Sequence, residues 1–101
     1  MKLYREEFTS SGRSIVAYLA FCPACRFAHR FIVSNGCDPD HIWSFNGDVS
    51  SPAFDPSLKV TSGDDICHSY LRGGVWTFLD DSTHGVVGGV SMLDFPLGYG
   101  L

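Results

Sequence analysis

The sequence predicts a mainly β protein: a small single-domain sheet or sandwich of six to seven short strands, with a zinc knuckle and at most one or two helical turns. Three observations predict this. Short runs rich in β-forming residues recur along the chain, 11 Gly and 5 Pro are spread between them as turn formers, and a Cys-x-x-Cys motif separates two of the runs. The 101 residues suit one domain, 1–101. A composition of 45% hydrophobic and 18% charged residues is globular.

The first predicted hairpin surrounds that motif. Residues 14–21 (SIVAYLAF) form an apolar, β-rich run that predicts a buried strand, and it leads directly into Cys22-Pro23-Ala24-Cys25. Residues 26–33 predict the returning strand, because Phe27, His29, Phe31 and Val33 alternate with their neighbours. A helix starting at Pro23 is the alternative, since Phe27 and Phe31 are also four residues apart.

The middle of the chain predicts turns around short strands. Residues 34–40 form a turn cluster, and residues 41–45 form a strand that ends at the Asn46-Gly47 turn. Two prolines on either side of Phe54 make residues 48–57 an extended connection. Residues 58–61 are a short strand, and residues 90–93 are a last one.

The clearest local signal is a hairpin over residues 67–79 with Gly73-Gly74 as its two-residue turn. That turn sets Arg72 opposite Val75 and Leu71 opposite Trp76. One face of the ribbon then carries Cys67, Ser69, Leu71, Trp76 and Phe78, and the other carries His68, Tyr70, Thr77 and Leu79. Residues 80–83 offer caps for one helical turn over residues 84–87.

A structural zinc site is the main chemical prediction. Zinc takes four S or N ligands, and two commonly come from one Cys-x-x-Cys turn, here Cys22 and Cys25. Since Cys67 and His68 are strand neighbours that point to opposite faces, only one of them fits, and Cys67 lies on the inward face. The turn after the hairpin can bring His84 back over that thiol. The predicted metal ligands are therefore Cys22, Cys25, Cys67 and His84.

The other cysteines and histidines receive secondary roles. His68 is interpreted as a polar group supporting the metal ligands, or as an alternative ligand. His29 and His41 are reserve candidates for a zinc ligand, but they are interpreted first as ordinary, partly exposed histidines. Cys37 is a free surface thiol that could take the place of Cys67. Cys22 and Cys25 also allow a redox interpretation, but the chain lacks the βαβ pattern of a thioredoxin fold.

Charge and hydropathy exclude some classes of partner. Seven Lys and Arg against eleven Asp and Glu give a net charge of −4, which argues against direct nucleic-acid binding. No apolar run has the roughly 20 residues of a membrane helix, and residues 1–11 lack a signal-peptide pattern. We expect a cytoplasmic protein, within the host cell if it is phage-encoded.

Evidence for catalysis in the sequence is weak. Trp43, Asn46 and Asp48 could line a polar groove with His68, although turn formation explains the Asn and the Asp equally well. Asp80, Asp81, Ser82 and His84 could take part in acid–base chemistry, but capping a turn accounts for them too. No catalytic residue is predicted, and the balance is against an enzyme.

Several motifs together resemble a family of small uncharacterised phage and prophage proteins, a domain of unknown function often labelled "ammonia monooxygenase". They are CPAC, WSFNGDVSSPAFDPSL and CHSYLRGGVWTFLDDSTHGVVGG, within residues 22–93. The resemblance implies a motif core and a phage origin, but no reaction. The marked residues are Cys22, Cys25, Trp43, Asn46, Gly47, Asp48, Pro52, Phe54, Pro56, Ser57, Cys67, His68 and His84.

Three functional hypotheses follow. The first is a small zinc-binding phage or prophage accessory protein that binds a host or phage protein, such as a host defence effector or the transcription machinery. The second is a metal-dependent, hydrolase-like enzyme that uses the groove near His68, Asn46 and Asp48. The third is a structural component of the virion.

Overall fold

The computed structural model describes residues 2–36 and 42–99. Its regular structure there consists of eight β-strands, and these residues form no helix. In chain order the strands are β1 (Leu3–Ser10), β2 (Arg13–Cys22), β3 (Phe27–Ser34), β4 (Ser44–Phe45), β5 (Phe54–Ser62), β6 (Asp65–Arg72), β7 (Val75–Phe78) and β8 (Gly88–Ser91).

The strands form two antiparallel sheets in the order of the chain. One sheet has the order β1-β2-β3, and the other has the order β4-β5-β6-β7-β8. Neighbours in sequence are therefore neighbours in space, as expected when short turns connect antiparallel strands. The mainly β fold is confirmed.

Both predicted hairpins are present. Strands β2 and β3 flank the cysteine turn with Cys22 opposite Phe27, so the hairpin is correct and the helix starting at Pro23 is not. Strands β6 and β7 pair as the Gly-Gly turn predicts, with Leu71 opposite Trp76. The two turn glycines have φ values of 59° and 73°, in the left-handed region that residues with a side chain rarely adopt.

The core lies between the two sheets and is largely aromatic. Phe31 of β3 stacks on Phe54 of β5, with ring centroids 4.3 Å apart, and Phe54 stacks in turn on Phe45 of β4 at 4.8 Å. Trp76 and Phe31 are almost completely buried. The contact between Phe31 and Phe54 joins the two sheets across their inner faces, whereas that between Phe54 and Phe45 lies within one sheet.

One strand was not predicted, and one expectation about an element is wrong. Strand β1 was not predicted, because Arg5, Glu6 and Glu7 interrupt its apolar pattern, yet it pairs with β2 along its whole length. The helical turn expected over residues 84–87 does not form. Instead, the hydroxyl groups of Ser82 and Thr83 accept hydrogen bonds from backbone N–H groups of β6. This segment therefore lies beside the first half of β6, where β7 does not pair with it.

Candidate metal centre and catalytic side chains

The Cys22–Cys25 turn has the local geometry of a metal clamp. The backbone N–H of Arg26 donates to the carbonyl oxygen of Cys22 at 2.8 Å. The N–H of Cys25 points at Cys22 Sγ, 3.4 Å away. Arg26 has a φ of 65°, the left-handed conformation that lets the chain turn back into β3. Both sulfur atoms are thereby held on the inner side of the hairpin.

Four donor atoms converge at this turn, and they could hold a metal ion. They belong to Cys22, Cys25, His29 and Cys67, and all lie within 4.8 Å of one another. Cys22 Sγ and Cys67 Sγ are 4.0 Å apart. Four ligands around zinc at about 2.3 Å would put sulfur atoms roughly 3.7 Å apart. The spacing therefore fits a tetrahedral ion after a small contraction.

The histidine in this set is His29, in the position where we expected His84. His29 lies opposite Ala20 in the β2–β3 ladder, which places it diagonally beside Cys22 on the inner face. It is only 2% exposed, so its interpretation as a partly exposed histidine is wrong. Its Nε2 atom is buried without a hydrogen-bond partner, as is Nε2 of His84, and a bound ion is one explanation for such an atom.

His84 does approach the cluster without joining the four donors. It lines a cleft of about 290 Å³ together with Cys25 and Cys67, so the turn brings it towards Cys67 as expected. However, its Nδ1 accepts a hydrogen bond from the backbone N–H of Val86. Its ring packs edge-on against Phe78, with centroids 4.8 Å apart.

The three thiols of the donor set shift one another's pKa values. A hydrogen bond from Cys67 is the main cause that lowers the pKa of Cys22 to about 4. Burial, followed by the charge on Cys22, raises the pKa of Cys25 to about 11. The hydrogen bond to Cys22, followed by burial, also raises the pKa of Cys67. Three adjacent thiolates repel one another, and a bound cation removes that repulsion.

A second constellation lies on the opposite face of β6. Ser57 Oγ is 2.9 Å from His68 Nε2, and His68 Nδ1 is 3.0 Å from each carboxylate oxygen of Asp81. These contacts connect a hydroxyl, an imidazole and a carboxylate in one line. It is the arrangement that activates a serine as a nucleophile.

The backbone fixes the imidazole of this constellation. The N–H of His68 donates to Ser82 Oγ at 2.9 Å, and that hydroxyl donates back to the carbonyl oxygen of His68 at 3.1 Å. The Ser82 hydroxyl thus holds the segment that carries Asp81 beside β6. Ser82 and Asp81, which we expected to cap a helical turn, instead position His68.

The carboxylate is kept ionised by its neighbours. Desolvation alone would raise the pKa of Asp81, but the hydrogen bond and charge of His68, together with the charge of Lys59, lower it overall. Lys59 Nζ lies 3.5 Å from Asp81 Oδ2. An ionised Asp81 accepts a hydrogen bond from the N–H at His68 Nδ1, and Nε2 is then the unprotonated nitrogen that can take the Ser57 proton.

The predicted polar groove is only partly present. Asn46 accepts the N–H of Asp48, and Asp48 accepts the N–H groups of Ser50 and Ser51. These two side chains stabilise their own loop, and no hydrogen bond joins them to His68 within residues 2–36 and 42–99. Trp43 does reach the second constellation, because its Nε1–H donates to the carbonyl oxygen of Ser57 at 3.4 Å.

Sequence reasoning did not single out Ser57 as a candidate nucleophile. The motif resemblance marked it together with His68, and Asp81 was considered for acid–base chemistry. What the sequence did not predict is the irregular pairing between Phe54 and Leu58, the stretch of β5 that contains Ser57. Such a bulge re-aims side chains and leaves little trace in composition.

Two predictions concern residues outside the described part of the chain. The free thiol of Cys37 and the exposure of His41 therefore stay predictions. The same holds for the start of the strand predicted over residues 41–45, of which residues 44–45 form β4. In the described ranges, no helix is long and apolar enough to cross a membrane.

The chain was compared with families of known proteins. A family model described as "Bacterial ubiquitination-like system serine protease (BubE)" matches residues 2–79. That range includes Ser57, His68 and the four clustered donors, and it ends two residues before Asp81. Comparisons with curated proteins and with solved structures give no match.

Proposed function

The chain belongs to the BubE family of bacterial ubiquitination-like system serine proteases, and on this premise we propose that it is a serine peptidase. Ser57 is the nucleophile, His68 is the general base, and Asp81 orients His68. The single observation that supports this is the line of short contacts from Ser57 Oγ to His68 and on to Asp81. These residues carry the family's stated chemistry without any help from the metal.

The reaction follows from the positions of these atoms. Ser57 Oγ attacks the carbonyl carbon of a peptide bond while its proton passes to His68 Nε2. The C–N bond then breaks, and His68 returns the proton to the leaving amine. A water molecule loses a proton to His68 and attacks the resulting ester, which releases the carboxylic acid and restores the Ser57 hydroxyl. Asp81 stays ionised and stabilises the imidazolium in each half of the cycle.

We also propose that the ion held by the four donors is zinc and that its role is structural. Three sulfur atoms and one imidazole nitrogen are a typical donor set for structural zinc. When bound, the ion cross-links the β2–β3 hairpin to β6 and so stabilises the fold. Cys67 and His68 are neighbours on β6. An ion that fixes Cys67 would therefore also fix the backbone that carries the general base.

The partner that we propose is a protein, recognised as a substrate. The family description points to a ubiquitination-like system, in which the substrates of a protease are proteins, and the acidic composition disfavours nucleic acid. We also propose a cytoplasmic location. The phage or prophage origin and the action on a host defence or transcription protein stay predictions.

The test is covalent labelling with an alkyl fluorophosphonate, which reacts with activated serines. We expect one adduct per chain, located on Ser57 by peptide mass spectrometry. Ser57→Ala removes the adduct, whereas Ser62→Ala on the same strand keeps it. An adduct on another serine, or labelling that persists in Ser57→Ala, would contradict the proposal.

The zinc assignment has its own test. Native mass spectrometry of the protein purified under reducing conditions should show one zinc per chain. Cys25→Ser should lose the metal and unfold, and Cys37→Ser should do neither. A metal-free protein that remains folded would overturn the structural role.

A further inference from the structure

Strand β5 leaves part of its outer edge uncovered, immediately beyond Ser57. β6 pairs with one side of β5 through residue Ser62. On the other side, β4 pairs only with Phe54 and Asp55. Within residues 2–36 and 42–99, no strand pairs with that side of β5 after Asp55. An edge of this kind can accept an added strand.

The hydrogen bonds that β6 makes on its side away from β5 show which way the backbone N–H and C=O groups of β5 point. The carbonyl oxygen of His68 accepts the N–H of Leu79, and the N–H of His68 donates to Ser82 Oγ. Both backbone groups of His68 therefore point away from β5. Lys59 lies opposite His68, so this is a non-hydrogen-bonded pair, and the N–H and C=O of Lys59 must point to the open side of β5.

The same argument applies two residues further along. The N–H of Ile66 donates to Thr83 Oγ1, and its carbonyl oxygen accepts the N–H of Thr83. Thr61 lies opposite Ile66, so its N–H and C=O also face the open side. Lys59 and Thr61 are both exposed. Together they offer two donors and two acceptors in the spacing of a strand.

We propose that this edge binds the substrate: an extended segment of the substrate protein pairs with Lys59 and Thr61 as an added strand. The proposal rests on the proposed peptidase function, since it places the bound chain beside the proposed nucleophile. Lys59 is two residues from Ser57, or roughly 7 Å along an extended chain. Adding a strand to a sheet edge is a common way to bind an extended peptide with little dependence on its sequence.

Trp43 defines where the added strand ends. Its indole N–H already donates to the carbonyl oxygen of Ser57, so that edge position is occupied. A peptide paired at Thr61 and Lys59 has to leave the plane of the sheet when it reaches Ser57. It can do so on the face where Ser57 Oγ meets His68, which brings its next carbonyl group towards the hydroxyl.

The experiment compares two reagents that both phosphonylate an activated serine. One is an N-acetyl aminoacyl diphenylphosphonate, which is too short to pair with the edge. The other is a tetrapeptidyl diphenylphosphonate with mixed residues at the three preceding positions. Their rates of reaction at Ser57 are measured in the wild type, in Thr61→Pro and in Thr61→Ala. Proline removes the N–H that faces the open edge, and edge strands tolerate it there.

We expect the tetrapeptide reagent to react at least roughly tenfold faster than the short one in the wild type and in Thr61→Ala, which keeps the N–H. Thr61→Pro should lose about three- to tenfold of that advantage, as expected for one backbone hydrogen bond, and keep its rate with the short reagent. Equal rates for the two reagents in the wild type, or an unchanged advantage in Thr61→Pro, would overturn the strand-addition proposal alone. No reaction at Ser57 with either reagent would overturn the proposed function and this proposal with it.

Discussion

The substitution Asp81→Asn tests the proposed catalytic chain most directly. Asp81 offers two acceptor oxygens, each 3.0 Å from His68 Nδ1, and so it fixes the proton on that nitrogen. Asparagine keeps the shape but replaces one oxygen with an NH₂ donor. When that donor faces Nδ1, the ring proton moves to Nε2, which then cannot accept the proton of Ser57. We expect the turnover number to fall by about 10³- to 10⁴-fold.

Structure and activity can be separated in this experiment, because the chain provides a matched control. Asp80→Asn makes the same change in charge one residue away, and it should leave turnover within about twofold of the wild type. The Asp81 side chain is 44% exposed, so Asp81→Asn should still fold and keep its metal, with at most a small loss of stability. The assay is hydrolysis of a fluorogenic peptide, with circular dichroism and metal analysis on each variant. Turnover in Asp81→Asn within tenfold of the wild type, or an equal loss in Asp80→Asn, would refute the role of Asp81.

Three further predictions concern the ligands, the core and the charge. His29→Gln should lose the bound metal and His84→Gln should keep it, as measured by elemental analysis; the reverse result would restore His84 as the ligand. Phe31→Ala removes a buried ring stacked on its neighbour at 4.3 Å, and it should lower the free energy of unfolding by about 3–5 kcal/mol in urea titrations. Because the pKa of Asp81 is lowered from its usual 3.8, its stabilising effect should be full above about pH 5 and disappear as the pH falls through the folded value. The difference in Tm between the wild type and Asp81→Asn should therefore shrink below pH 4, and a constant difference would contradict this.

The sequence predicts local pairing well and long-range pairing poorly. The turn at Gly73-Gly74 fixes the register of β6 and β7, and the alternation of Cys67 with His68 correctly assigns the two residues to opposite faces. His29 was only a reserve candidate for a zinc ligand, although the same alternation placed it on one face with the buried Phe31. A short charged run in β1 interrupts the apolar pattern by which a strand is predicted. Which histidine reaches the thiols is decided only by the packing of the sheets.

Ser57 shows a different limit. Its hydroxyl lies 2.9 Å from His68 Nε2, but Ser57 belongs to the stretch where β5 pairs irregularly with β6, and no propensity scale describes such a stretch. The approach of Asp81 depends on Ser82 bonding both backbone groups of His68, a contact between segments 14 residues apart. Residue types suggested acid–base chemistry, but the geometry that joins them arises in the folded chain.

The opposite orientations of Cys67 and His68 make β6 intolerant of changes in length. Inserting or deleting one residue ahead of this pair, without compensation in β5, would exchange the two faces of the strand. The thiol would then point to solvent and the imidazole to the aromatic core, so both sites would be lost in one step. We expect length variation among relatives to occur in connections such as residues 46–53 and to be absent from β6.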